Sequence, residues 1–341
     1  MVKPVTVIIT PRDRYSKLSQ CIHDLYEHTH EELFDLVILD LGYPSNDLEE
    51  AKLYLQDKTN YRIVEYGRII PMEAMSRIRG EITTKYCVFM DNDSRALEGW
   101  LPPLIEAGEN TGAAVVNPVT LERSGVDEGA EVRNHLYTNE LRVVSVDGTP
   151  YLIEHKTFRR STPDEIPREI SETQSFELHC VMFNTEVLKS LELPRMTIRE
   201  HLDIGMQLRA SGKKLIVEPR SRIVFDNLGT RARLSDLKYF NLRWNGRITE
   251  DSSRLFEKRW GYKFYSEQAI YNWAIRRRIF LVLRWLYIPI PLANKIDRLF
   301  FAIRRKLLPI WDPLKDPFAE SFSLYDQLPD GVPKQLDHAL S

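Results

Sequence analysis

The unbroken apolar row Tyr86-Cys87-Val88-Phe89-Met90 stops without transition at Asp91-Asn92-Asp93. Aromatic, β-branched and thiol side chains in such a row suit a central strand covered on both faces. In open α/β sheets, ligands bind outside the carboxyl ends of strands of this kind. Asp91 and Asp93 are therefore expected at a ligand crevice. Two carboxylates one residue apart repel unless a cation stands between them, and hard oxygen donors suit Mg²⁺ or Mn²⁺ carrying a diphosphate. Asp and Asn are equally favoured in turns and helix caps, so on these residues alone a solvated turn also stands.

The flanking sequence alternates between two periods. Val5 to Ile9 reads as a strand ending in Thr10-Pro11-Arg12-Asp13-Arg14, and Leu18, Cys21, Ile22, Leu25 and Tyr26 then recur at helical spacing. Leu33 to Leu41, Tyr61 to Glu65 and Ala113 to Val116 read as further strands. Asp47 to Gln56, Pro71 to Gly80 and a segment opening at Glu98 read as helices. Strands alternating with helices imply an α/β domain with a mostly parallel sheet flanked by helices. Past Asn117 the alternation weakens. Val143–Val146 and Tyr151–Glu154 suggest a hairpin turning at Asp147-Gly148, and 159–173 a loop. Phe176 to Phe183 reads as one strand with unusual polar content. A helix runs on from Glu200, and Leu215–Glu218 and Ile223–Phe225 read as two short strands.

A formal net charge of −2 gives no reason to expect nucleic acid as a partner. Cys21, Cys87 and Cys180 lie far apart within apolar patterns, which fits reduced, buried thiols. The start of the chain lacks a signal-peptide layout and no run reaches the roughly 18 apolar residues of a membrane span, so a cytoplasmic location is expected. Leu234 to Gly261 holds Trp244, Ser252, Leu255, Phe256 and Trp260 at helical spacing. Residues 271–310 then carry nine Lys and Arg against one acid, Asp297, interleaved with apolar side chains. That composition fits either an anionic membrane surface or a solvated basic face on a packed tail. The remainder, 311–341, is expected to be irregular.

In this order the motifs resemble the family 2 glycosyltransferases of the nucleotide-diphospho-sugar transferase superfamily, which have the GT-A fold. The resemblance covers roughly residues 3–228 and rests on Val5-to-Arg14, Ile38-Leu-Asp40, Asp91-Asn92-Asp93 with Gly99-Trp100-Leu101, and Glu200-His-Leu-Asp203 running to Arg209-Ala-Ser-Gly212. It implies donor contacts at Thr10, Pro11, Arg12, Asp40, Arg77, Asp91, Asn92 and Asp93. It places Trp100 and His179 on the acceptor side, and Mn²⁺ or Mg²⁺ on Asp91 and Asp93. Asp226 stands where many relatives carry a metal-binding His. Two departures matter: Arg77-Ile78 replaces the usual Arg-Asn, and His201 replaces the usual catalytic Asp, a variant similar to a Glu-His-x-Asp branch.

The implied activity is inverting transfer of a sugar from a nucleotide-diphosphate donor, UDP-linked by expectation, to a hydroxyl of a glycan, lipid-linked or small-molecule acceptor. His201 or Asp203 would be the base with Glu200 beside them. A structural helix start remains the third reading, because acids in a first turn also suit the helix dipole. The rival is a glycan or nucleotide-sugar binding module that kept the fold and lost the base. The expected division is a nucleotide-sugar half (1–116), an acceptor and catalytic half (117–233), a helical basic extension (234–310) and the tail (311–341).

Overall fold

The computed structural model describes residues 3–123, 131–146, 148–226, 233–243, 246–263, 279, 282–283 and 285–311. The first part alternates as the periodicity requires: β1 (Val5–Thr10), α1 (Leu18–Glu27), β2 (Phe34–Asp40), α2 (Ser45–Tyr54), β3 (Tyr61–Glu65), α3 (Pro71–Ile78) and β4 (Tyr86–Asp91). A short β5 (Ser94–Ala96), α4 (Leu101–Thr111) and β6 (Val115–Arg123) follow. All six residues of β4 are buried. Filling such positions stabilises by about 1.5–3 kcal/mol per large apolar side chain.

The second part holds β7 (Val132–Leu136), a hairpin of β8 (Asn139–Val146) and β9 (Thr149–Lys156), β10 (Ser171–Glu172), β11 (Cys180–Asn184), α5 (Thr185–Ser190), α6 (Glu200–Ala210) and β12 (Leu215–Phe225). The sheet runs β10-β12-β6-β11-β4-β1-β2-β3, with β5 on β12 and β7 on β6. β1 is parallel to β2 and β4, β2 to β3, and β6 to β12, while β11 is antiparallel to both β4 and β6. The carboxyl ends of β1, β2, β4 and β12 and the amino end of β11 therefore share one edge.

Two local readings change. The two short strands expected near Leu215 and Ile223 are one strand, β12, with its register shifted between Glu218 and Arg222. Pro219 offers no N–H to a ladder, which explains the irregularity. Phe176 to His179 is buried but precedes β11, since Glu177 and His179 turn their polar groups to side-chain partners. Asp147 of the expected turn lies outside the described residues, although Val146 pairs Thr149 across it.

Helices α7 (Leu234–Arg243) and α8 (Gly246–Trp260) pack back on the sheet domain. Tyr239 joins the main core, and Phe256 joins a second core with Leu141, Leu152, Leu202 and Met206. In α6, a Cβ on Gly205 would stand 3.3 Å from the Gln174 carbonyl, so glycine allows the helix to close on that segment. The last helix is α9 (Ile290–Trp311). No helix among the described residues is long and apolar enough to cross a membrane.

Candidate active site

The shared edge collects the ends of these five strands, and α6 brings its first turn to them. Arg12, just past β1, joins the two halves: Nη1 donates to Glu200 Oε1 at 3.1 Å and Nε lies 3.4 Å from Asp91 Oδ2. Arg243 at the end of α7 approaches the same Glu200 oxygen at 3.5 Å. Asn92 fixes the loop after β1, accepting from Arg12 N at 3.2 Å and donating to Arg14 O at 2.7 Å.

Asp91 and Asp93 are both buried. Burial pushes both carboxyls up from their ordinary range. Arg12 and Arg243 oppose this at Asp91, and the Asp91 charge adds to it at Asp93. Asp93 Oδ1 has no hydrogen-bond partner. Two buried carboxylates at one strand end, one with an orphaned oxygen, fit a divalent cation. His179 Nδ1 lies 2.9 Å from Asp91 Oδ2, and the imidazole stacks on Phe225 at 3.7 Å. Burial holds that imidazole well below its usual range, and therefore neutral.

The first turn of α6 follows Arg199, whose φ of 54° is left-handed, a conformation that costs a non-glycine residue about 1 kcal/mol. Arg199 pairs with Glu154 of β9. Glu154 Oε1 also accepts from His201 Nε2 at 3.2 Å, which leaves His201 Nδ1 buried and without a partner. Burial works against the Glu154 charge, yet Arg199, His201 and Lys156 keep its carboxyl below the ordinary range. Glu200 is likewise held low by Arg243 and Arg12 despite burial. Asp203 has no such freedom: Oδ1 accepts from Arg259 Nε and Trp260 Nε1, each at 2.8 Å, and Oδ2 from Gln207 Nε2 at 2.8 Å.

Several sequence expectations do not meet at this cluster. Asp226 reaches the correct edge, and its N–H donates to Asp93 O at 2.8 Å. Its carboxylate, however, accepts from Lys17 at 2.9 Å and lies 3.9 Å from Arg123. Trp100 is fully buried, with Nε1 donating to Thr29 at 2.8 Å, so it is a core residue and presents no face to an acceptor. Arg77 is exposed, paired with Glu73 at 2.6 Å and set over the Tyr66 ring. Asp40 ends β2, where Oδ1 caps the turn by accepting from Gly42 N and Tyr43 N. Thr10 and Pro11 line the edge as buried backbone, with Thr10 O accepting from Asn92 N at 2.8 Å. His179 sits on Asp91 instead of on an acceptor surface.

Glu154, Glu177, Arg199 and Arg243 were not singled out from the sequence. The available signal was an acid in an otherwise apolar strand, Tyr151-Leu-Ile-Glu154 and Phe176-Glu177-Leu178.

Residues 6–188 match the sequence profile of Glycosyl transferase family 2, more than half of the 341 residues. The chain belongs to that family. No curated protein matches the family 2 chain by sequence. Among solved structures it is similar to the crystal structure of GalNAc-T7 with UDP, GalNAc and Mn2+, at TM-score 0.50 and 13% identity. That likeness covers 83% of this chain and 57% of the other, so the family 2 chain spans little more than half its length. At such identity the likeness concerns the fold: a GT-A arrangement of a mostly parallel sheet between helices. The family match ends before α6, so Glu200, His201, Asp203 and Asp226 lie beyond it.

Proposed function

We propose that this family 2 chain is an inverting, metal-dependent transferase of the Glu-His-x-Asp branch, moving a sugar from a UDP-linked donor to an acceptor hydroxyl. The observation that carries the reading is Arg12, which bonds Glu200 and stands against Asp91, so that the strand-end carboxylates and the α6 motif form one buried site. A binding module has no need of both.

Asp91 and Asp93 would hold the divalent cation, Mn²⁺ or Mg²⁺, which when bound neutralises the departing diphosphate. Arg12, set between two acids, is the protein's own cation for the same charge. His201 is the base. Glu154 accepts its Nε2 proton and so fixes the tautomer that presents an unprotonated Nδ1. The acceptor O–H proton passes to Nδ1 while the oxygen bonds the anomeric carbon and the diphosphate leaves with its electron pair. Asp203 accepts from Arg259, Trp260 and Gln207 and so holds α6 to α8, a positioning role.

His201→Ala should lower turnover by roughly 10² to 10⁴ with little change in donor affinity, as loss of a general base does. Turnover near wild type would remove His201 from the chemistry.

The acceptor is read as lipid-linked. In α9, Leu292, Leu299, Phe300 and Ile303 are exposed, while Asp297, the acid of 271–310, is buried. Basic residues beside exposed apolar ones suit an anionic surface. Arg276, Arg277 and Arg278 of the same stretch lie outside the described residues.

A further inference from the structure

We propose that His179 is a third protein ligand of the divalent cation, completing a site with Asp91 and Asp93; this rests on the metal-dependent reading above. Strand pairing delivers the imidazole. β11 runs antiparallel to β4 with Cys180 opposite Met90, and the next pair along is His179 opposite Asp91, closed by Asp91 N donating to His179 O at 2.9 Å. Residues directly opposite in an antiparallel pair project from the same face.

The spacing is that of adjacent ligands. An octahedral ion with bonds of about 2.1 Å sets neighbouring donor atoms about 3 Å apart. Nδ1 of His179 and Oδ2 of Asp91 stand 2.9 Å apart. One donor atom from each of Asp91, Asp93 and His179 lies within 4.8 Å of the others, and all three residues are buried. Asp93 contributes an independent sign, since its Oδ1 is buried and unpartnered at the same place. The ring is held by Phe225 stacked at 3.7 Å and His135 edge-on at 5.6 Å, which keeps it from swinging to solvent. Asp226, the other contender from this edge, is committed to Lys17.

An imidazole among carboxylates changes selectivity. Carboxylate-only sites suit Mg²⁺ and Mn²⁺ alike, whereas imidazole is a better ligand for transition metals. The site should therefore prefer Mn²⁺ to Mg²⁺, and the preference should shrink without His179.

The test is MnCl₂ titration of the full chain followed by electron paramagnetic resonance, with electron spin-echo modulation reading nitrogen on the bound ion. Wild type and His135→Ala should bind Mn²⁺ with nitrogen modulation. His179→Ala should lose the modulation and bind on the order of 10-fold more weakly. Bound Mn²⁺ without nitrogen modulation in wild type, or modulation that persists in His179→Ala, overturns the ligand while leaving the metal reading intact. Failure of wild type to bind Mn²⁺ at all overturns both. The wild-type spectrum decides even if His179→Ala does not fold.

Discussion

At the scale of single residues, chemistry and stability separate on one helix turn. His201 keeps an unpartnered Nδ1 because Glu154 takes the other ring nitrogen, whereas every oxygen of Asp203 is engaged. Glu154→Gln should lower kcat by about 10- to 100-fold with donor KM unchanged, since an amide holds the ring less firmly in one tautomer. Equal losses in kcat and in thermal stability would make Glu154 a structural acid only. Asp203→Asn should show the opposite pattern. It removes a buried charge from Arg259, which keeps Glu192 at 2.9 Å, so a loss of roughly 2 kcal/mol in a denaturant titration is expected with kcat per folded molecule retained. A stable but inactive Asp203→Asn would return the base to Asp203.

Among elements, the strands that build the sheet edge were legible because their residues report burial directly. β4 reads as an apolar row and is buried throughout, as is β1, and β2 is buried at every residue but Asp35. Side-chain destinations were not legible, because periodicity gives a face and not a partner. Trp100 could not be told from an acceptor platform until Thr29 was seen at its indole, nor Asp226 from a metal ligand until Lys17 was seen at its carboxylate. The contacts that matter most join residues far apart in sequence. Asp236 of α7 accepts from Tyr15 N at 2.7 Å and from Ser16 N at 3.1 Å, so a late helix fixes the loop that follows β1. Asp236→Ala should destabilise by roughly 3 kcal/mol, as hydrogen bonds to a buried charge are lost. Hydrogen exchange should rise first in 11–17 and in α7. Exchange that rises equally everywhere would contradict that coupling.

For the whole molecule, metal and pH are linked through Asp91 and Asp93. Their carboxyls are raised by burial, so the folded state binds protons that the unfolded chain has already lost above about pH 4. Stability without divalent cation should therefore fall as pH rises through the raised range. The acids held low, Glu154 and Glu200, contribute their change only at more acidic pH. In EDTA the melting temperature should drop between about pH 5 and about pH 8, and Mn²⁺ should recover much of the loss. A melting temperature that rises over that interval in EDTA would contradict the upward shift of the buried Asp91 and Asp93 carboxyls. The surface makes a separate claim: liposomes containing phosphatidylglycerol should carry the protein at low salt and release it at high salt. Absence of flotation at low salt would favour a soluble acceptor. The most direct measurement is release of free nucleotide from a panel of nucleotide-sugars, with Mn²⁺ and with EDTA, for wild type and Asp93→Ala. Manganese-dependent release of UDP by wild type, abolished in EDTA and in a folded Asp93→Ala, is the expected result. Full release in EDTA would contradict the metal site, and no release from any donor would leave a nucleotide-sugar binding module in place of a transferase.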